Sequence, residues 1–285
     1  MGKSGLRMVR GILSGTRREG QAPARTARVF VLAVCAGLLF CPPAQAEPVR
    51  MALVIGTDSY ERARDLSGAR ADAEAIADAL AAEGYALYGG GAITDPDRAQ
   101  MLAAMRGFAR ALPDGALAVV YIAGHGLASG GASYLLPADD AAIARREDLP
   151  AHAVALRFLT ERLAARQDVH SLILVDACRA NALAGHSPAA ASDIVAPEGG
   201  AMSILYAAAP GQIAADGAGG TGPFASAVIA ALDDGQASLT RFIHAVSQDV
   251  LARSGGTQQP YLTQILAAPE HPAFPAGPDV NDPPS

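Results

Sequence analysis

Two residues with the chemistry of acyl transfer each follow a long apolar run. His125 comes after ALAVVYIAG and Cys178 after SLILVDA, and Gly124 and Gly126 flank the histidine. A thiolate attacks a carbonyl carbon, and a nearby imidazole takes up and returns the proton. The glycines let the backbone approach a substrate closely. The amides of Gly126 and Cys178 are candidates to bind the oxyanion that forms.

A cysteine and a histidine alone are also compatible with other kinds of site. A free cysteine is often a small hydrophobic residue of the core. A metal site needs three or four ligands at local spacing, and none flank His125 or Cys178. We therefore predict no metal ligands, and the order of the predicted elements has to decide between a core cysteine and a nucleophile.

The apolar runs predict strands that place His125 and Cys178 at one edge of a sheet. Residues 116–123 and 171–175 are continuously apolar, which is typical of strands covered on both faces. Strands and helices alternate along the chain, which predicts a largely parallel sheet whose ligands bind at the carboxyl ends of the strands. The other predicted strands are 51–56, 85–89, 202–208 and 260–266, with a hairpin at 127–137 and helices at 69–82, 95–112, 155–166, 223–233 and 239–253.

The first 46 residues have the three parts of a secretory signal peptide. Basic residues precede the apolar stretch 29–40, and Ala44-Gln45-Ala46 is a cleavage signal. The apolar stretch is shorter than the roughly 20 residues that a spanning helix needs. We expect cleavage and export to the periplasm or the medium, which leaves no integral membrane span; an uncleaved anchor is the alternative.

Removal of the leader changes the charge and the cysteine content. The remaining chain has 15 basic and 27 acidic residues, a formal charge of −12. This acidity argues against nucleic acid or an anionic membrane as a partner. Cys35 and Cys41 leave with the leader, so Cys178 is the one thiol of the mature chain and no internal disulfide is expected.

The mature chain is predicted to be one domain with a short tail. Hydrophobic residues make up 51% of the sequence, which excludes global disorder. We assign residues 47–268 to the domain and expect the proline-rich residues 269–285 to be disordered.

Seven short motifs occur in order along the chain, and His125 and Cys178 are 53 residues apart. The motifs lie at 52–56, 66–73, 121–126, 134–139, 174–179, 207–212 and 222–227. This ordered set resembles the caspase-like cysteine peptidases of bacteria, which are related to metacaspases and paracaspases, and a separation of about 50 residues is expected for caspases.

The resemblance implies a fold and a mechanism. The expected fold is α/β, a caspase-like three-layer sandwich with a mostly parallel six-stranded sheet and helices on both faces. The expected activity is cysteine-type endopeptidase, acting on a protein or peptide through a thioacyl-enzyme. It gives Cys178 the role of nucleophile, His125 that of general acid/base, and the amides of Gly126 and Cys178 that of the oxyanion hole.

The resemblance also bears on the P1 residue, the one before the cleaved bond. Asp72 and Asp176 match the two carboxylates that bind a basic P1 side chain in metacaspase-like enzymes, so we predict cleavage after Arg or Lys. Ala123 departs from the serine that metacaspases often have there. In the opposite interpretation, Arg70 and Arg179 form a pocket for an acidic side chain.

Further alternatives concern activity and activation. The domain could be a catalytically silent binding or scaffold module, or the dyad could hydrolyse an ester or a non-peptide amide. Residues 182–200 contain no Arg or Lys, so a single-chain enzyme is predicted. No cofactor is predicted, although some relatives depend on calcium. The candidate calcium ligands are Asp139, Asp140, Glu147 and Asp148, and the equal alternative is that they are solvated surface acids.

Overall fold

The continuous apolar runs form the centre of a seven-stranded, mostly parallel sheet. The computed structural model describes residues 48–177, 201–209, 220–235 and 238–265, with only the backbone at 264 and 265. The strands of this part, in chain order, are β1 (Arg50–Gly56), β2 (Ala86–Leu87), β3 (Ile93–Thr94), β4 (Leu117–Gly124), β5 (Gly126–Ser129), β6 (Ala132–Leu135), β7 (Val154–Ala155), β8 (His170–Ala177), β9 (Ala201–Tyr206) and β10 (Tyr261–Ile265).

The strand order places β4 and β8 side by side in the middle of the sheet. The order is β10-β9-β8-β4-β1-β2, and β3 also pairs with β1. Each pair is parallel except β10 with β9, which is antiparallel. A small antiparallel sheet, β5-β6-β7, follows, and one residue separates the end of β4 from the start of β5.

Helices cover both faces of the sheet. They are α1 (Ala69–Ala82), α2 (Arg98–Ala111), α3 (Leu149–His152), α4 (Arg157–Ala164), α5 (Pro223–Asp233) and α6 (Leu239–Arg253). The core that α1, α5 and α6 share with the sheet contains Val119 and Tyr121 of β4. The core with α2 and α4 contains Val120 and Ile122. Alternate residues of β4 thus enter opposite cores, which is why its sequence is apolar without interruption.

The start of α1 lies against the carboxyl end of β1 because Gly56 has no side chain. A Cβ at Gly56 would lie 2.5 Å from the Ala69 carbonyl oxygen and 2.6 Å from the Ala73 Cβ. Such contacts are too short for real atoms, so only glycine permits this packing. The packing holds the first turn of α1, which contains Asp72, at the carboxyl edge of the sheet.

The structure confirms the predicted α/β fold, with a mostly parallel sheet between two layers of helices. The predicted strand 85–89 is reduced to the two residues of β2, the unpredicted β3 brings the sheet to seven strands rather than six, and β7 extends the expected hairpin to three strands. The sequence did not predict α3, whose four residues are too short for a periodic pattern. Both predicted domain boundaries lie outside the described residues and remain predictions. No helix of the described ranges is long and apolar enough to cross a membrane.

Candidate active site

His125 directly follows the end of β4, and the register of β4 and β8 places this strand end beside the end of β8. Ala123 pairs with Asp176 and Gly124 pairs with Ala177, and these are the last pairs of the two strands. His125 is the next residue on one strand, and Cys178 is the next on the other. Neighbouring strands are about 4.8 Å apart, so β4 and β8 end side by side at the same edge of the sheet. Cys178 itself lies outside the described residues.

The ring of His125 is oriented by a backbone carbonyl. Its Nε2 atom lies 2.7 Å from the carbonyl oxygen of Arg64. Because a carbonyl oxygen only accepts hydrogen bonds, Nε2 must donate the proton. In the neutral imidazole the lone pair is then on Nδ1, which is the tautomer that a base acting through Nδ1 requires.

Tyr60 fixes the backbone of the same histidine. Its hydroxyl accepts a hydrogen bond from the His125 amide at 2.8 Å and donates one to the Thr57 carbonyl at 3.0 Å. The rings of Tyr60 and His125 are tilted by 44°, with centroids 4.7 Å apart. Burial raises the pKa of Tyr60 strongly, so the hydroxyl stays protonated and keeps both bonds at neutral pH.

Gly124 is the residue that lets the chain turn from β4 to His125. Its φ is +148°, a conformation that side chains disfavour. A Cβ there would also lie 2.8 Å from the Tyr60 hydroxyl oxygen. The first of the two glycines around the histidine is therefore required by the turn and by Tyr60.

The second glycine, Gly126, has an amide that points away from the small sheet. The Leu136 amide donates to the His125 carbonyl at 3.0 Å, which makes that pair hydrogen-bonded. Bonded and non-bonded pairs alternate along an antiparallel ladder, so Gly126 and its partner Leu135 form a non-bonded pair. The Gly126 N–H is therefore directed out of the ladder, as an oxyanion-hole donor needs to be.

The loop that leads from β1 to α1 supplies both partners of His125, and six consecutive amides of this loop are hydrogen-bonded. We call residues 57–68 the first loop. Three aspartates and one carbonyl accept hydrogen bonds from six consecutive amides of this loop. These pairs are Asp58 and Ser59 with Asp95, Tyr60 with Asp65, Glu61 with the Ala138 carbonyl, and Arg62 and Ala63 with Asp140. The loop is thus a rigid support for the imidazole rather than a mobile surface segment.

Asp140 is the buried anchor of the first loop. It is 1% exposed, and its two oxygens accept from Arg62 and Ala63 at 2.6 and 2.8 Å. The sequence left it as a calcium ligand or a solvated acid, and the burial contradicts the solvated alternative. A buried carboxylate with two amide bonds stabilises the loop, because without it two donors would lack partners.

Removal of the Asp140 carboxylate is expected to weaken both the fold and the site. We expect Asp140→Ala to lower the free energy of unfolding by about 3 kcal/mol, since two charge-assisted bonds are lost. The turnover number should fall at least about ten-fold, because a displaced Arg64 carbonyl no longer orients His125. Denaturant unfolding and initial rates measure the two effects.

The neighbouring acid is the matched control for that change. Asp139 is exposed and accepts only from the Arg98 amide among the bonds described, at 2.8 Å. Asp139→Ala should therefore cost much less stability and leave the turnover number near that of wild type. Equal effects of the two substitutions would contradict the assigned role of Asp140.

The two predicted P1-binding carboxylates lie on the α1 side of the sheet. Asp72 is 5% exposed, and its Oδ1 accepts from the Gly222 amide at the start of α5, at 2.8 Å. Asp176 is half-buried at the end of β8, and its Oδ2 accepts from the Tyr121 hydroxyl at 2.8 Å. Burial, then the charges of Asp176 and Asp72, raise the pKa of Tyr121 well above its usual value. Both carboxylates therefore disfavour ionisation of the same phenol.

Three buried tyrosines predict how the stability of the fold responds to alkaline pH. Burial raises the pKa values of Tyr60, Tyr85 and Tyr121 above the value of about 10 that each has in the unfolded chain. Groups with raised pKa values contribute stability that is complete below that pH and is lost as the pH rises further. We expect the unfolding free energy to fall above about pH 10. The absorbance of ionised tyrosine from these three residues should appear only as the protein unfolds. Titration of all tyrosines near pH 10 in a folded protein would contradict this.

The remaining predicted charges have local partners. Arg70 is one of the two arginines of the alternative acid-binding pocket, and its guanidinium lies 3.3 Å from the Asp95 carboxylate. The other arginine, Arg179, is outside the described residues. Among the candidate calcium ligands, Asp148 accepts from the amides of Ala144 and Arg145. Within the described ranges, no group of three or more His, Cys, Asp or Glu side chains is placed to hold a metal ion.

Three contributors to the site were not predicted from the sequence: Tyr60, the Arg64 carbonyl and Asp140. A backbone carbonyl has no sequence signal. Tyr60 and Asp140 lie in irregular segments, where neither helical nor strand periodicity points to a role. His125 is 65 residues from Tyr60, so only the folded chain places them together.

The fold is that of a caspase-like α/β domain. A sequence model of the caspase domain, peptidase family C14, matches residues 49–269, so the chain belongs to this family. The crystal structure of a protein from Geobacter sulfurreducens has the same fold, with a TM-score of 0.57 and 17% sequence identity. That similarity covers 78% of this chain and 96% of the other. A comparison with curated proteins gives no match.

Proposed function

We propose that this protein is an exported cysteine endopeptidase that cleaves after Arg or Lys through a dyad of Cys178 and His125. The observation that supports the dyad most directly is the β4–β8 register, which ends both strands one residue before these side chains. Membership of the caspase domain family supports peptidase activity and a protein or peptide substrate.

The residues around His125 fit its proposed role in proton transfer. Nδ1 of His125 takes the proton of the Cys178 thiol, the thiolate attacks the substrate carbonyl carbon, and the oxyanion that forms is bound by the amides of Gly126 and Cys178. His125, held by the Arg64 carbonyl through Nε2, gives a proton to the leaving amine as the carbon–nitrogen bond breaks. Water, deprotonated by the same imidazole, then hydrolyses the thioester and releases the acid.

The proposed preference for a basic P1 residue depends on charge. Asp176 accepts a hydrogen bond from the Tyr121 hydroxyl, and the charges of Asp176 and Asp72 both raise the pKa of that phenol, which supports a pocket with two carboxylates. The guanidinium group of an arginine or the ammonium group of a lysine at P1 would form charge-assisted hydrogen bonds with the two carboxylates. The opposite preference is less favoured because Arg70 already has a partner in Asp95.

Export is proposed on the leader alone. Residues 1–46 have the basic, apolar and cleavage segments of a signal peptide. Periplasmic or secreted location follows if the leader is cleaved. We expect the mature chain to start at Glu47.

A reporter panel tests the proposed function. Peptides that differ only at P1, with Arg, Lys, Asp or Leu, are given to the mature chain, and kcat/KM is measured for each. We expect Arg and Lys to exceed Asp by at least about a hundred-fold, because an acid would be placed beside two carboxylates.

Variants at the two carboxylates are the internal check. Asp176→Asn should reduce the preference for Arg over Leu, since one charge is removed while the shape stays similar. A wild type that hydrolyses none of the peptides would favour the scaffold alternative. Hydrolysis of esters alone would favour the non-peptide hydrolase.

A further inference from the structure

A largely apolar cavity of about 400 Å³ opens beside His125, on the side of the first loop. His125 forms one wall, and the others are Ala63, Leu127, Leu136, Ile143, the buried Asp140, whose carboxylate is bound by two amides, and the exposed Arg62 and Arg64. Leu127, Leu136 and Ile143 belong to a separate small core beneath the hairpin, and Ala63 packs against it. Cavities of this size, with mainly apolar walls and a few polar groups, are typical of ligand-binding sites.

The cavity is distinct from the region of the P1 carboxylates. Asp72 bonds to the start of α5, and Asp176 bonds to Tyr121, whose side chain is in the core shared by α1, α5 and α6. None of these three residues lines the cavity. The cavity and the carboxylates thus offer a substrate two separate places, and His125 lines the first of them.

The chemistry of the imidazole indicates which part of a substrate reaches the cavity. His125 must come within about 3 Å of the leaving nitrogen in order to protonate it. The side chain of the residue that supplies this nitrogen begins two bonds away. A cavity with the His125 ring as a wall is therefore within reach of that side chain.

We propose that this cavity binds a large apolar side chain at P1′, the residue that follows the cleaved bond. This rests on the proposed endopeptidase function and adds a second specificity to it. The substrate class becomes a peptide with a basic residue followed by Leu, Ile, Met or Phe. The exposed Arg62 and Arg64 at the rim leave the apolar interior as the part that selects.

The test is a set of internally quenched peptides that keep Arg at P1 and vary only P1′. We expect kcat/KM with Leu or Phe to exceed that with Gly by about ten-fold or more, since burial of such a side chain supplies a factor of this order. Asp or Lys at P1′ should be no better than Gly, because the cavity has mainly apolar walls.

A cavity-filling substitution and a matched control connect the preference to this cavity. Ala63→Phe should bring the ratio of kcat/KM for the Leu peptide to that for the Gly peptide close to one, and Ala63→Leu should lower it part of the way. Ala165→Phe makes the same change in a second cavity of about 400 Å³, which Arg106, Arg110 and Arg162 line and His125 does not. That variant should keep the wild-type ratio.

The outcomes separate this proposal from the function on which it rests. Equal rates for Leu, Gly and Asp at P1′ in an enzyme that cleaves after Arg would overturn the proposal and leave the peptidase function intact. A preference that both Ala63 variants retain would also overturn it. No hydrolysis of any peptide would contradict the peptidase function, and the cavity proposal with it.

Discussion

Replacing Cys178 with alanine is expected to abolish hydrolysis of Arg and Lys peptides, with a loss of at least about 10⁴-fold in turnover. Loss of a nucleophile in peptidases of this general chemistry has effects of that size or larger, because no thioacyl intermediate can form. Alanine differs from cysteine by one sulfur atom, so the fold should be little affected. Initial rates and thermal unfolding of the same preparations measure the two properties.

Cys178→Ser is the companion variant. It keeps a nucleophilic atom of similar size, but a hydroxyl is activated less easily than a thiol. We expect only a trace of activity, well below that of wild type. Substantial hydrolysis by Cys178→Ala, with the same P1 preference as wild type, would show that another residue is the nucleophile.

Replacing His125 with alanine is expected to lower turnover by about 10²- to 10⁴-fold, the usual contribution of a general acid/base. The Tyr60 hydroxyl bonds to the backbone of His125, and that bond does not require the imidazole. The loss should therefore reflect missing proton transfer rather than a collapsed site. The alkylation rate of Cys178 is the second readout, and it should fall in this variant because the imidazole no longer helps to form the thiolate.

His152 provides the matched control for His125. It is an exposed residue at the end of α3, and among the described cavities it lines none. His152→Ala should leave both turnover and thiol reactivity unchanged. If His125→Ala had as little effect as His152→Ala, the dyad would have to be abandoned.

The parts of the fold that the sequence predicted are those in which burial follows a simple period. Both faces of β4 and β8 are covered, so their apolar runs are continuous and their ends are sharp. Helices α5 and α6 occupy the predicted ranges 223–233 and 239–253. The predicted strand 85–89 is reduced to the two residues of β2, and β3 and α3 were not predicted, because two to four residues cannot establish a period.

The candidate site divides in the same way. The position of His125 at a strand end followed from the pattern, since parallel strands bring their carboxyl ends to one edge. Its orientation did not, because the Arg64 carbonyl is a backbone atom 61 residues away. The anchoring of the first loop by Asp140, 78 residues from Arg62, likewise requires the folded chain. The sequence indicates which residues belong to the candidate site, but not the contacts that orient them.

The account depends most on Cys178 as a nucleophile that accepts a basic P1 residue. The direct measurement uses a peptide electrophile with Arg at P1 and its counterpart with Asp, followed by mass spectrometry of the labelled peptides. We predict one adduct, on Cys178, with the Arg reagent, and much slower labelling in His125→Ala. A folded protein whose Cys178 reacts with iodoacetamide but with neither peptide reagent would contradict the account.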